Sequence, residues 1–417
     1  MTLTATGRPD APWAGPDRTS ARVPTLVAPP GPPQSGADRP DGAAAVLRAV
    51  LDAGPLARTA IAAGIGLSAA AVSRHTADLL AMGLVWQPPE PAQQPRPGRP
   101  RIPLDIDTSH HLAAGVHIAV PQLTFSLTDL RGRVVATERT PRGPRPEAVL
   151  DGIAERLPGF LRRHAGARSV LGLGVVTGGW VDPDAGVLVE NAALGWRDVP
   201  LRQALRRAVR LPVHVDGHAR ALARAEMLFG AEAGDGVLMH LFVGNTVDAA
   251  IATGGTLLRG RRHGAGGIAH LPVPGSNQTC PCGRTGCLRV TVSDRVLAAR
   301  AAADGVTARP ELPLLLRAAH AGDARAVELL RARIRLVAEA VRPMLDVISP
   351  DSVVLTEAAV LHLPYLLPEV SHALGGARGL VRAGSFGADT LAVAAAAPVL
   401  AAVYQDPLGL RTVGGAR

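Results

Sequence analysis

Four side chains in one short stretch are of the types that hold a metal ion. From His263 to Arg289 the chain reads HGAGGIAHLPVPGSNQTCPCGRTGCLR. It holds all three cysteines of the 417-residue protein, Cys280, Cys282 and Cys287, with His270 just upstream. Three thiolates and one imidazole make a complete tetrahedral set for zinc, and four protein ligands leave no open position, so the expected role is structural. Gly283 and Gly286 let the backbone turn tightly between ligands, and Pro281 stiffens the link between the first two sulfurs. The alternative is a disulfide with one cysteine left over. Cysteines one residue apart rarely meet disulfide geometry, and the N-terminus lacks the charged start and apolar run of a secretion signal.

Elements able to position such a loop flank it on both sides. His111–Val120, Leu123–Asp129 and Val134–Thr140 read as consecutive strands, then a helix over about Pro146–His164 and a strand over Val170–Val176. Val213–Val215 precedes a helix from about Ala219 to Phe229, and strands near Val237–Val243 and Ala249–Thr253 repeat the scheme. Long helices rich in Ala, Leu and Arg fill roughly 292–345, and Val353–Leu355 reads as a buried strand.

The N-terminal part has a different organisation. Residues 1–40 are rich in Pro, Gly and Ala without sustained periodicity and read as a disordered tail. From Gly42 apolar residues fall at helical spacing, Gly54-Pro55 ends that helix, and a short helix follows over about Arg58–Ala63. Ser68 is a candidate N-cap for a third helix with Val72, Thr76 and Leu79 facing inward. Leu84-Val85-Trp86 then reads as the first strand of a wing. This order is that of a winged helix-turn-helix over 41–90; the alternative is a small three-helix packing unit. On the outward face Arg74 suits guanine or phosphate, Ser73 a base edge or phosphate, and Ala69 and Ala70 the methyl groups of thymine. Residues 91–107 form a basic Pro/Arg wing-linker. Its Arg96, Arg99 and Arg101 suit a narrow minor groove or phosphates, and the alternative is a plain proline-stiffened linker.

Composition sets broader bounds. The formal net charge is +9 and all 44 basic residues are Arg. Excess positive charge favours polyanionic partners, but a genome bias toward Arg codons gives the same composition. Aromatics at 3% argue against base stacking on single strands. No uninterrupted apolar stretch is long enough to cross a membrane, so a soluble cytoplasmic protein without a membrane partner is expected.

The His followed by C-x-C-G-x-x-G-C-L resembles the zinc signature of the ROK family of bacterial sugar kinases and related repressors. GLSAAAVSRHTADLLAMGLV, the Gly-Arg-Pro after the wing and NAALGW over 191–196 are also similar to segments of that family. The resemblance implies an α/β, two-lobed actin-like ATPase domain over 108–417, following the winged helix-turn-helix. It also implies where catalytic parts should stand. The first phosphate loop, Asp-x-Gly in family kinases, falls in Gly115–Val120, which has neither the carboxylate nor a glycine at the loop. The second, Gly-Thr-Gly-x-Gly, corresponds to Gly244-Asn245-Thr246-Val247-Asp248-Ala249. The glycine pair at the nucleotide end is replaced after Leu355 by Thr356-Glu357-Ala358-Ala359, where Glu357 would bring a negative charge near the nucleotide. Glycines in such loops let backbone N–H groups face phosphate.

The family's Glu-Asn-Asp, ending in the base carboxylate, corresponds to Asp216-Gly217-His218. The sugar-contacting Asn becomes Ala193, and the Glu ahead of the zinc His becomes Gly267. Ala193, Gly217, His218 and Gly267 are therefore the candidate effector cleft. His218 alone can equally be a cleft histidine with no task, and Arg259, Arg261 and Arg262 can attract an anion or form a solvated charge run. The reading is a DNA-binding ROK-type regulator, a repressor by resemblance. It is expected to be a homodimer or homotetramer on a double-stranded operator, with structural zinc, no catalytic residue, no ATP and a sugar-derived or other effector. The alternatives are an active sugar kinase using ATP, and a regulator whose body is only an assembly scaffold.

Overall fold

The computed structural model describes residues 26–28, 41–89, 102–231, 236–375 and 380–412. Strand β1 (Leu26–Val27) pairs antiparallel with Arg411–Thr412 at the other end of the chain, and the Ala28 N–H donates to the Leu171 carbonyl at 2.7 Å. The expected disordered tail is corrected there: Leu26 and Ala28 are buried, and removing an apolar residue from water stabilises even a two-residue strand.

Helices α1 (Gly42–Ala53), α2 (Arg58–Ile65) and α3 (Ala69–Ala81) follow, with β2 (Leu56–Ala57), β3 (Val85–Trp86) and β4 (Pro103–Ile106) beside them. The Ser68 hydroxyl caps α3 by accepting the Ala71 N–H at 3.2 Å. Val72, Thr76 and Leu79 are its buried residues, the i, i+4, i+7 stripe of a helix packed on one face. Ser68, Ala69, Ala70, Ser73 and Arg74 are exposed. Strand β4 pairs with both β2 and β3, which corrects the boundary of the 91–107 linker. Leu104 and Ile106 alternate into the core and are buried, so pairing register is fixed by their burial. Arg96, Arg99 and Arg101 lie outside the described residues.

The body has two lobes of one plan. The first contains β5 (His111–Ile118), β6 (Gln122–Thr128), β7 (Val134–Pro141), α4 (Pro146–His164), β8 (Ser169–Thr177), β9 (Trp180–Asp182), β10 (Val187–Asn191), β11 (Trp196–Val199), α5 (Leu201–Ala208), β12 (Val213–Gly217) and α6 (His218–Phe229). Its main sheet runs β12-β8-β5-β6-β7. The second contains β13 (Leu238–Val243), β14 (Val247–Thr253), β15 (Thr256–Leu257), then α7 (Leu288–Val292), α8 (Asp294–Ala303), α9 (Leu312–His320) and α10 (Ala324–Ile348). It continues through β16 (Ser352–Glu357), α11 (Ala358–His362), α12 (Leu367–Ala373) and β17 (Val381–Ala383), and its sheet runs β15-β14-β13-β16-β17. In each sheet two antiparallel neighbours on one side of the central strand face two parallel ones on the other.

The last helix, α13 (Thr390–Gln405), is buried along nearly its whole length. It must be alanine-rich because the first sheet lies against its backbone. A Cβ at Gly174 would stand 1.9 Å from the Ala395 carbonyl oxygen, and one at Gly115 2.7 Å from the Ala395 Cβ. Helix packing therefore accounts for a glycine at 115. Residues 387–405 are long and apolar enough to cross a membrane, contrary to the expectation from apolar runs, but 78% of the apolar window is buried in the protein. The helix is core.

The three N-terminal helices do not form a separate bead. Val46, Leu47, Val50, Val72 and Leu79 share one core with Leu171, Val399, Val403 and Tyr404 of the body. Arg48 of α1 donates to the Met227 carbonyl in the last turn of α6 at 2.7 Å, and the His111 Nε2 at the start of β5 meets the Met82 carbonyl at the end of α3 at 2.8 Å.

Candidate functional site

The metal-type side chains meet where the sequence places them. Sγ of Cys280 lies 3.7 Å from Nδ1 of His270, and Sγ of Cys282 lies 3.7 Å from Sγ of Cys287. The four donor atoms all lie within 4.8 Å of one another. This excludes a disulfide bond of about 2 Å. It fits a metal ion: Zn–S bonds of about 2.3 Å put the sulfurs of a tetrahedron about 3.8 Å apart. The loop is built for this. Cys280 N–H donates to Arg284 O and Val273 N–H to Gly286 O, both at 2.8 Å. Gly286 adopts φ +74, and a Cβ there would stand 2.8 Å from Ser276 O, so only glycine passes. Ile268, Val273 and Leu288 anchor the loop in the second-lobe core. The backbone N–H and guanidinium of Arg284 hold the Cys282 thiol down at about 6, favouring the thiolate that a metal needs.

Beside this loop, between the lobes, lies a cleft of about 560 Å³. Ala193, Gly217, His218 and Gly267, scattered over the sequence, all line it, as do His270 and Arg289. Gly217 and Gly267 leave room, since a Cβ at either meets nothing closer than 3.8 and 3.4 Å respectively. Trp180, Glu190 and Arg220 also line it without having been expected there, as do Asp248, expected only as part of a phosphate loop, and Arg261, expected either to attract an anion or to belong to a solvated charge run.

His218 is engaged. It is buried, with its Nε2 3.1 Å from Asp248 Oδ2 and 2.9 Å from Thr246 Oγ1. Its ring stacks on His117, with centroids 5.9 Å apart and planes 7° apart. Asp248 also accepts the Gly179 N–H at 3.3 Å. Burial works against the Asp248 charge, but the His218 hydrogen bond and charge outweigh it and hold the carboxyl below its usual range. The second phosphate loop of the family pattern thus carries a carboxylate, and the position of the family's base carboxylate carries the histidine that binds it. A signal for this pair was present: both positions depart from the family pattern, with side chains of complementary type.

Asp216 does other work. Arg220 and Arg224 bind it at 2.7 and 3.2 Å. Burial opposes its charge, but the Arg220 guanidinium, then that of Arg224, keeps its carboxyl below the usual range. Arg220 also donates to the Val181 carbonyl at 2.9 Å and to the His263 carbonyl, tying β9 to the second lobe. The expected negative charge of Glu357 needs correction. Its carboxylate is buried, paired with Arg333 and accepting the Val360 N–H at 2.8 Å, and Arg333 reaches Asp294 at 2.7 Å. The loop after β16 therefore presents a neutralised ion pair, and the void beside it measures about 10 Å³, room for one water at most.

Two buried histidines on the central strands, His117 and His240, have imidazoles pushed down to about 3, first by burial and then by neighbouring His218. They are neutral in the folded protein and titrate near 6.5 when unfolded. Their contribution is full above pH 6.5 and is lost as pH falls below it toward 3. Between pH 7 and 5 we expect a loss of roughly 2 kcal/mol per histidine. Urea midpoints at the two pH values measure it. A variant carrying His117→Leu and His240→Leu should show a shallower dependence, and an unchanged one would reject this origin.

The ROK family pattern matches residues 113–375. The chain is 33% identical over 394 residues, covering 90% of this chain and 88% of the relative, to the transcriptional regulator Rv0485 of Mycobacterium tuberculosis (strain ATCC 25618 / H37Rv). It is 28% identical over 340 residues, covering 77% and 82%, to the DNA-binding transcriptional dual regulator NagC of Escherichia coli (strain K12). Among solved structures, a ROK family transcriptional regulator, homolog of the E. coli MLC protein, superposes with TM-score 0.71 at 19% identity over 87% of this chain and 96% of its own. A ROK family glucokinase from Streptomyces griseus in complex with glucose and AMPPNP gives TM-score 0.61 at 25% identity, over 68% of this chain and 98% of its own. The two-lobed fold and the extent of these matches agree: the chain belongs to the ROK family.

Proposed function

We propose that this ROK protein is a DNA-binding transcriptional regulator, that its interlobe cleft is an effector pocket without kinase activity, and that the Cys/His loop holds a structural zinc ion. The helices α1–α3 with strands β2–β4 are read as a winged helix-turn-helix. Exposed Ser68, Ala69, Ala70, Ser73 and Arg74 are its proposed DNA-facing residues, and Arg96, Arg99 and Arg101, outside the described residues, are proposed DNA contacts on their sequence alone. The names of the regulators to which the chain is similar support the reading.

The observation that carries it is the placement of α6. Its first residue, His218, is in the cleft wall, and its Met227 carbonyl holds Arg48 of α1. A 12-residue helix is a rod of about 18 Å. A ligand that displaces His218 or Arg220 therefore acts on the element that seats the N-terminal helices. A regulator needs such a link, since an effector can shift only an equilibrium whose two states it contacts differently.

The kinase alternative is disfavoured by the same wall. Phosphoryl transfer depends on positioning and on stabilising negative charge, and the phosphate-loop strand here carries Asp248, a carboxylate engaged with His218, rather than a backbone donor free to face a phosphate. Incubation with ATP, magnesium and a panel of hexoses, N-acetylhexosamines and their phosphates should give no sugar-dependent ADP above a heat-killed control. His218→Asp should not create turnover, because the phosphate cradle is still absent. Sugar-dependent ADP release by the unsubstituted chain would overturn the non-catalytic reading.

A further inference from the structure

The charged groups of the cleft are unequally satisfied. Asp248 is taken by His218, Glu190 by Arg197 at 3.2 Å, and Arg220 by Asp216 at 2.6 Å. The side chains of Arg261 and Arg289 line the same cavity and make no hydrogen bond or ion pair among the described residues, although the Arg261 carbonyl accepts the Gly264 N–H at 3.0 Å. The two flank the metal-type loop, Arg261 before it and Arg289 two residues after Cys287. The rest of that wall is largely alanine and glycine, including Ala193, Ala265 and Gly267, with the Trp180 ring at its edge. Arg262 stands 5.3 Å from the centroid of that ring.

A neutral sugar needs an array of fixed acceptors and donors around its hydroxyls. Here both carboxylates are already engaged, and the free charged groups are two guanidinium cations in a wall of mostly small apolar side chains, with the Asn245 amide as a neutral polar group beside them. Such a wall excludes water from an apolar body, and guanidinium pairs well with planar or tetrahedral oxyanions. We propose that the cleft takes an organic anion with an apolar body, its carboxylate, sulfonate or phosphate held by Arg261 and Arg289. The proposal rests on the reading of the cleft as an effector pocket and specifies the chemical class of its ligand.

A matched probe pair tests it. 1-Anilinonaphthalene-8-sulfonate and N-phenyl-1-naphthylamine share one aromatic body, and only the first carries an anion. In fluorescence titrations of the full chain, the sulfonate should bind one per chain and at least about tenfold more tightly than the neutral amine. Arg261→Ala and Arg289→Ala should each weaken the sulfonate about tenfold, leaving the amine unchanged and the melting temperature near that of the parent. Ala193→Trp, at an exposed wall position, should block both probes. Equal affinities for the two probes, or sulfonate binding unmoved by the arginine substitutions, overturns the proposal, as does stoichiometric binding to the Ala193→Trp variant.

Operator affinity separates this proposal from the reading beneath it. Arginine-dependent sulfonate binding that leaves operator affinity unchanged supports the anion class and removes the regulatory role of the cleft. Glucose or N-acetylglucosamine that shifts operator affinity equally in the parent and the double arginine variant keeps the effector reading and overturns the anion class.

Discussion

Cys282→Ser and Cys287→Ser are expected to destabilise the protein equally, by roughly 4 kcal/mol or more, the range reached on loss of a bound metal. For a lobe of this size that is a fall in melting temperature of roughly 10 °C. Equality is the informative part. Cys282 is exposed and Cys287 is buried. If the sulfurs served packing alone, serine at 282 would cost almost nothing, while serine at 287 would leave a polar group in a core position. Only a shared ion makes the two substitutions equivalent, because structural zinc contributes its binding energy to folding. Purified protein should carry one zinc per chain, and neither variant should retain it. His270 belongs to the metal-type set and to the cleft wall, and Arg289 on the same wall follows Cys287 by two residues, so stripping the metal should also weaken whatever the cleft binds. A metal-free chain with unchanged melting would remove this account of the loop.

Arg74→Ala is expected to weaken binding to the specific operator by about 1–3 kcal/mol, while random DNA loses far less. Arg74 is exposed on α3, opposite the buried stripe of Val72, Thr76 and Leu79, so its removal should leave stability within about 0.5 kcal/mol. Ser68→Ala provides the contrast. It removes the cap that accepts the Ala71 N–H and should cost about 1 kcal/mol of stability. Parallel melting and gel-shift titrations separate the two effects. Similar losses on operator and random DNA for Arg74→Ala would mean a phosphate contact only.

Much of this architecture was legible because local pattern and burial agree. The helix expected over Pro146–His164 has those bounds, as its apolar stripe and flanking segments leave little choice. The metal set was legible because its ligands share one loop. What escaped reading is long-range pairing. Strand β1 is two residues inside a Pro- and Gly-rich stretch, stabilised by a partner at the opposite end of the chain. Strand β4 was hidden behind prolines and becomes a strand only because β2 and β3 both pair with it. Glu357 looked like a free charge because Arg333, its partner, comes from the middle of a separate helix. Asp248 was seen only as a lost glycine, although the side chain that replaces the glycine is what engages His218.

The most direct test of the central claim is to capture genomic DNA fragments from the source organism on the purified 417-residue chain, sequence them, and repeat the capture with Arg74→Ala. The account predicts a small set of enriched sites that share one sequence element, with that enrichment lost in the variant while bulk DNA retention persists. Fragments recovered in proportion to their abundance, or a shared site enriched equally by both proteins, would contradict it.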